Sequence, residues 1–286
     1  MHGRTVVFVG SSLTLVGCHA PLLEDVLSRD TGVPWTACNL GHPSAGPVTQ
    51  LLFVRRLLDR GVRPDLVVVE FFPPMLTAPD RPADLARWPA YLLSRRDVRF
   101  LQRYGGAADL DRDWWTSNLV PAFGHRRAIV NRWATFLVPP VERDYVWGTL
   151  AAGGWLALPE IAAEQLNASR DRPRQVFGDT LRVYKPGHAN LQALHELLGL
   201  LKQRQVPCVL LWMPEGPGMR SLYTPEALRT VDALLSDIEH AYAIKHVDAR
   251  AWLPEDLFVD SYHLSERGAR RFAPRLATAL VAAREK

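Results

Sequence analysis

Cysteine is scarce in this chain of 286 residues: Cys18, Cys38 and Cys208 are too few and too scattered, and odd in number, for a disulfide framework. Their apolar neighbours make them read as reduced core thiols. Long apolar runs are missing too. None nears the ~20 residues that a membrane-spanning helix requires. Met1-His-Gly-Arg4 leads directly into an apolar run too short for a signal peptide, so a cytoplasmic location is expected and the Asn167-Ala-Ser169 sequon carries no meaning. Lysine is rare beside arginine, and the net charge of +4 is small for this length, which gives no basis for a general nucleic-acid surface. His188, His195, His240 and His246 lack metal-ligand spacing, and His188 with His195 reads as one wet helix face. Gly216 and Gly218 follow a strand-like run without the Walker spacing or the dinucleotide fingerprint, so neither a cofactor nor a metal is expected. The oligomeric state is not legible.

What is present is an alternation of short β-branched runs with amphipathic segments. The strand-like runs are Thr5 to Gly10, Val33 to Gly41, Pro64 to Phe72, Val206 to Pro214 and Ile244 to Asp248. Between them, Ala20 to Arg29, Pro47 to Arg60, Pro186 to Gln205 and Pro225 to Tyr242 carry apolar residues at helical spacing. This order predicts an α/β fold, a doubly wound parallel sheet with helices on both faces, in one domain spanning residues 1–286. Ligands of such sheets bind at the C-terminal ends of the strands.

Two stretches at opposite ends of the chain carry the chemistry. In Thr5-Val-Val-Phe-Val-Gly-Ser-Ser-Leu-Thr14, a run fit for a strand buried on both faces breaks off into small hydroxyl residues and then a helix. Taken alone, Ser11, Ser12 and Thr14 read first as helix caps. In Val259-Asp-Ser-Tyr-His-Leu-Ser-Glu-Arg-Gly268, Asp260 stands three residues before His263, just ahead of an amphipathic segment through Phe272, Leu276 and Leu280. A serine hydroxyl becomes a nucleophile when an imidazole takes its proton and a carboxylate holds the other ring nitrogen. Ser12, His263 and Asp260 supply those roles. The plainer reading of the second stretch is a solvated turn.

Together these stretches resemble the SGNH (GDSL-type) hydrolase superfamily, whose first block is Gly-Asp-Ser after strand one and whose last is Asp-x-x-His before the final helix. Gly10-Ser11-Ser12 matches the first block with Ser in place of Asp, which assigns the nucleophile to Ser12; Asp260 and His263 match the last. The Asn-x-Gly-like second block resembles Asn39-Leu-Gly-His-Pro-Ser-Ala-Gly46. The resemblance implies an oxyanion hole built from the backbone amides of Ser12 and of Ser44, Ala45 or Gly46, with any further donor from the insertion or the Glu215 to Arg220 loop. Where the family has Gly-x-Asn-Asp, this chain reads Glu70-Phe-Phe-Pro73, so the Asn donor is missing. Similar departures occur in members associated with polysaccharide O-acetylation. With the right-handed crossover rule, the resemblance also implies a flavodoxin-like strand order, 2-1-3-4-5.

From Pro73 to Tyr184 the doubly wound pattern stops, and an insertion, residues 76–184, is expected to form a mostly helical cap over the site. Pro79, Pro82 and Pro89 punctuate its start, and 126–136 and 160–170 read as helices. It carries Trp88, Trp114, Trp115, Trp133, Trp147 and Trp155 with many arginines; most of these read as packing and surface charge, though together such groups also suit an organic anion. Candidate substrate contacts are Asn39, Glu70 and Glu215, and for Glu70 the plainer reading is a strand-end carboxylate turned to water. Three functions follow: a serine esterase acting on a small-molecule or carbohydrate ester, an O-acyltransferase using the same acyl-enzyme, and a non-catalytic binding module.

Overall fold

The structure is a computed structural model, and it describes residues 3–77, 90–105, 107–134, 150–158 and 169–284. Residues 160–168 of the helix predicted at 160–170, residues 135–136 of the helix predicted at 126–136, Trp88, Trp147, the proline-punctuated entry and Asn167 of the sequon lie outside the described residues.

The chain opens with β1 (Arg4–Gly10), a short helix α1 (Ser12–Gly17) and α2 (Ala20–Thr31), whose C-cap Gly32 takes the left-handed conformation. β2 (Trp35–Gly41) and α3 (Pro47–Asp59) lead to β3 (Leu66–Glu70) and the short α4 (Pro73–Leu76). Then come α5 (Arg95–Leu101), α6 (Ala107–Leu119), α7 (Pro121–Gly124), α8 (Arg126–Trp133) and α9 (Arg172–Arg182). The return to the sheet is α10 (His188–Gln203), β4 (Cys208–Trp212), α11 (Pro217–Arg220), α12 (Pro225–Tyr242), β5 (Lys245–Asp248) and α13 (Glu266–Arg284).

The five strands are all parallel in the order β2-β1-β3-β4-β5, as expected. Val6 to Val9 and Val67 to Val69 are buried because helices cover both faces. α2 and α13 pack together on one side of the sheet, while α3, α10 and α12 cover the other. The third strand is shorter than its apolar run. It begins after Asp65, whose carboxylate accepts the Thr5 amide, and ends before Phe71, whose amide still reaches the Leu211 carbonyl at 2.8 Å. The predicted Glu215 to Arg220 loop contains a helical turn, α11, which Pro217 starts because its fixed φ suits a first helical position. The helix face read as wet is half-covered: His195 Nδ1 pairs with the Tyr242 hydroxyl at 2.9 Å.

Described parts of the predicted insertion occupy different places. Residues 90–104 dock on the outer side of α3 and α10, where Arg56 meets Asp97 at 2.7 Å, Arg55 lies over the Phe100 ring and Arg103 meets Glu196 at 2.8 Å. Residues 150–158 run along β2 and α1: the Leu156 amide donates to the Leu15 carbonyl, and Gly154, at φ 85°, comes so close to the Asn39 carbonyl that a Cβ would collide with it. α9 lies near the loop of Asp260 and His263, through Phe177 against Tyr262.

Candidate active site

β1 delivers its C-terminal end to the site through Gly10, where a Cβ would fall 2.6 Å from both Cβ and Oε2 of Glu70, so only glycine fits. Ser11 caps α1 by accepting the Leu13 amide at 3.1 Å, and this separates the two serines. Ser11 serves the helix, and Ser12, the first helical residue, turns its hydroxyl outward. Ser12 Oγ lies 2.7 Å from His263 Nε2. On the other side of the ring, His263 Nδ1 lies 2.8 Å from Asp260 Oδ2.

His263 and Asp260 sit in a tight turn between β5 and α13. Asp260 Oδ1 accepts the backbone amides of His263 at 2.8 Å and of Tyr262 at 3.4 Å. Ser261 adopts a left-handed conformation at φ 67°, and its hydroxyl donates to Glu255. Burial pushes the Asp260 carboxyl up, but the hydrogen bond and charge of His263 and the two amides outweigh this and hold it below the usual range. A carboxylate at Nδ1 keeps the proton on that nitrogen, which leaves the Nε2 lone pair facing the Ser12 hydroxyl. The Tyr262 ring packs on His263 with centroids 4.3 Å apart, and burial, with the nearby Asp260 charge, pushes its phenol up to about 12. Tyr262 continues edge-on into Phe177 and then Phe72, making an apolar wall beside the base.

Three residues expected as substrate contacts are buried and hydrogen-bonded within the protein. Asn39 is buried: its Nδ2 donates to the carbonyls of Thr14, Leu15 and Cys18 at 2.8, 3.2 and 2.9 Å, and its Oδ1 accepts the Gly41 amide at 2.8 Å. Glu70 is 4% exposed, neither turned to water nor open to a ligand, because its Oε2 takes donors from the Ser12 turn. Glu215 is fully buried and accepts from Trp212 Nε1 at 3.0 Å and the Tyr223 hydroxyl at 2.8 Å; burial pushes its carboxyl up to about 7. Each stands at a strand end, where the sequence marks position but not which way the side chain turns.

Of the amides considered for an oxyanion hole, that of Ala45 is spent on the His42 carbonyl at 2.9 Å. Ser44 has the left-handed φ of 59°, and Gly46 is the N-cap residue of α3. Ser12, at the first turn of α1, has no carbonyl within its own helix to receive its amide proton. The Glu215 to Arg220 loop does not supply amides either at its start. Its Glu215 and Gly216 amides donate to the Arg250 and Ser261 carbonyls at 3.0 and 2.7 Å, so it braces the turn of Asp260 to His263.

Trp155, one of six tryptophans in the insertion, is fixed to α1. Its Nε1 donates to the Val16 carbonyl at 2.7 Å and its ring stacks on His19 at 3.9 Å. Thr14, read from the sequence as a helix cap, Tyr262 and Phe177 are not assigned to the site by sequence alone. The first two stand inside the very motifs that carry Ser12 and His263, whereas nothing local marks Phe177. Among the described residues no group of three or more His, Cys, Asp or Glu is arranged to hold a metal, and no helix is long and apolar enough to cross a membrane.

Fold and site together define a doubly wound α/β protein with a serine, a histidine and an aspartate in one hydrogen-bonded chain at the strand ends. No family model and no curated protein matches this sequence. Solved structures similar to it include the lipase/acylhydrolase from Enterococcus faecalis, at 13% identity over 98% of this chain and 96% of that one, with a TM-score of 0.41. AlinE4, an SGNH-hydrolase family esterase, is similar at 15% identity over 99% and 97%, TM-score 0.40. A mutant of Axe2, an acetyl-xylooligosaccharide esterase from Geobacillus, is similar at 13% identity over 99% and 95%, TM-score 0.41.

Proposed function

We propose that this protein is an SGNH-type serine hydrolase that cleaves a small O-acyl group from an alcohol through an acyl-enzyme. The observation that carries the reading is the continuous chain from Ser12 Oγ through His263 to Asp260, with contacts of 2.7 and 2.8 Å. Ser12 Oγ attacks the ester carbonyl while His263 Nε2 takes its proton, and Asp260 stabilises the imidazolium at Nδ1. The Ser12 amide is the donor we assign to the oxyanion, where charge develops in the tetrahedral intermediate. His263 then returns the proton to the departing alcohol. A water deprotonated by the same nitrogen attacks the acyl-Ser12 ester and releases the acid.

A second reading, O-acyl transfer to a sugar or other alcohol, draws on the Phe72, Phe177 and Tyr262 wall. An apolar surface beside the base sheds water and gives an alcohol acceptor the advantage over hydrolysis. The departure at Glu70-Phe-Phe-Pro73 from the family's donor fits the branch associated with polysaccharide O-acetylation.

Intact mass after exposure to a small fluorophosphonate tests the common step. One adduct, lost in Ser12→Ala, with release of acid from an aryl acetate, is the expected result for the hydrolase. Turnover only when an alcohol acceptor is added favours the transferase. Absence of any adduct rejects both in favour of a binding module.

A further inference from the structure

Glu70 is a buried carboxylate at the end of an otherwise apolar strand, and an acid in that position needs a reason. Its partners supply one. Oε2 receives the amide of Ser11 at 3.1 Å, the amide of Thr14 at 3.0 Å and the hydroxyl of Thr14 at 2.5 Å. The two amides lie one residue before and two residues after Ser12, so a single oxygen holds the main chain on both sides of the nucleophile. The sheet register brings this about. Val69 pairs with Val9, and Glu70 therefore leaves β3 beside Gly10, whose missing Cβ is the space that the carboxylate enters.

Resting on the reading of Ser12 as nucleophile, we infer that Glu70 is a positioning residue: its carboxylate ties the Ser12 turn to β3 and so fixes both the hydroxyl and the amide of Ser12 relative to His263. It touches neither substrate nor the reacting atoms. Removing the tie lets Oγ drift from Nε2, and misplacement by about 1 Å costs on the order of 100-fold in rate. Binding is untouched, because no surface open to substrate changes. The accepting oxygen, rather than the negative charge, performs this role. Oε1 is buried and has no hydrogen-bond partner among the described residues, so glutamine keeps Oε2 in the same place and sets its amide nitrogen where Oε1 stood. Burial pushes the Glu70 carboxyl up against the opposing bonds from Ser11 and Thr14, in keeping with a group that the fold encloses.

The test compares the intact protein with Glu70→Gln, Glu70→Ala and Thr14→Val, using the rate of fluorophosphonate addition, kcat and KM for an aryl acetate, and hydrogen exchange of the 11–14 segment. In Glu70→Ala, adduct formation and kcat should each fall roughly 100-fold with KM nearly unchanged, and exchange should speed up. Glu70→Gln should recover most of both. Thr14→Val, which removes only the hydroxyl donor and keeps the fold should Glu70→Ala fail to accumulate, should lose about 10-fold in kcat, the scale of one modest hydrogen bond. Equal rates in wild type and Glu70→Ala overturn the proposal, as does a Glu70→Gln variant as damaged as the alanine. If the wild type takes no adduct, the serine hydrolase reading fails by itself. The tie is then judged by exchange: faster in Glu70→Ala and not in Glu70→Gln sustains it, and unchanged exchange overturns it.

Discussion

Ser12 and His263 stand 251 positions apart in the chain and share a 2.7 Å contact between Oγ and Nε2. Parallel topology creates the meeting. β1 lies in the interior of the sheet, and the turn before α13 returns across its C-terminal edge, so the first strand's end and the last helix's approach converge.

Asp260→Asn should lower kcat by about 10,000-fold while leaving KM within a few-fold, because an amide no longer enforces the tautomer that frees Nε2. The Oδ1 contacts with the His263 and Tyr262 amides survive in asparagine, so the turn should hold its shape. Steady-state kinetics with an aryl acetate, alongside circular dichroism, checks both parts.

Asn39→Ala should destabilise the protein by roughly 2–4 kcal/mol, since it leaves the Thr14, Leu15 and Cys18 carbonyls and the Gly41 amide without their shared partner. Urea unfolding measures this. A raised KM with unchanged stability would return Asn39 to the role of substrate contact.

Glu215 should make stability depend on pH. Its carboxyl, at about 7 in the fold, titrates near 4.3 when the chain is unfolded, so the folded state binds the proton more tightly. Stability is therefore full below about pH 4.3, declines as pH rises towards 7, and carries the whole penalty above it, roughly 4 kcal/mol. Glu215→Gln keeps an acceptor for Trp212 and Tyr223 and should flatten the profile, matching wild type at about pH 4 and exceeding it at about pH 8 in thermal unfolding.

Phe177→Ala should broaden acyl choice. Phe177 bridges Phe72 and Tyr262, and its loss opens the wall beside His263. The kcat/KM for a butyrate ester relative to acetate should rise about 10-fold or more, the scale of methylene discrimination in an apolar pocket. An unchanged ratio would mean that the acyl group lies elsewhere.

Strand order and the serine, histidine and aspartate were legible in the sequence because each depends on local pattern. β-branched runs name the strands, Gly10 marks the turn, and Asp260 with His263 needs only a three-residue turn to share a bond. The tertiary structure decided the use of polar groups at the strand ends. Glu70, Asn39 and Glu215 looked alike as ligands, yet each found its donors or acceptors within the protein, Glu70 from residues 56 and 59 positions away. The same holds for Phe177 against Tyr262, and for residues 90–104, which dock on α3 and α10. Periodicity shows that a residue lies near a strand end. Whether its side chain meets water, substrate or a backbone amide depends on what the rest of the chain brings within 3 Å, and only the assembled sheet fixes that.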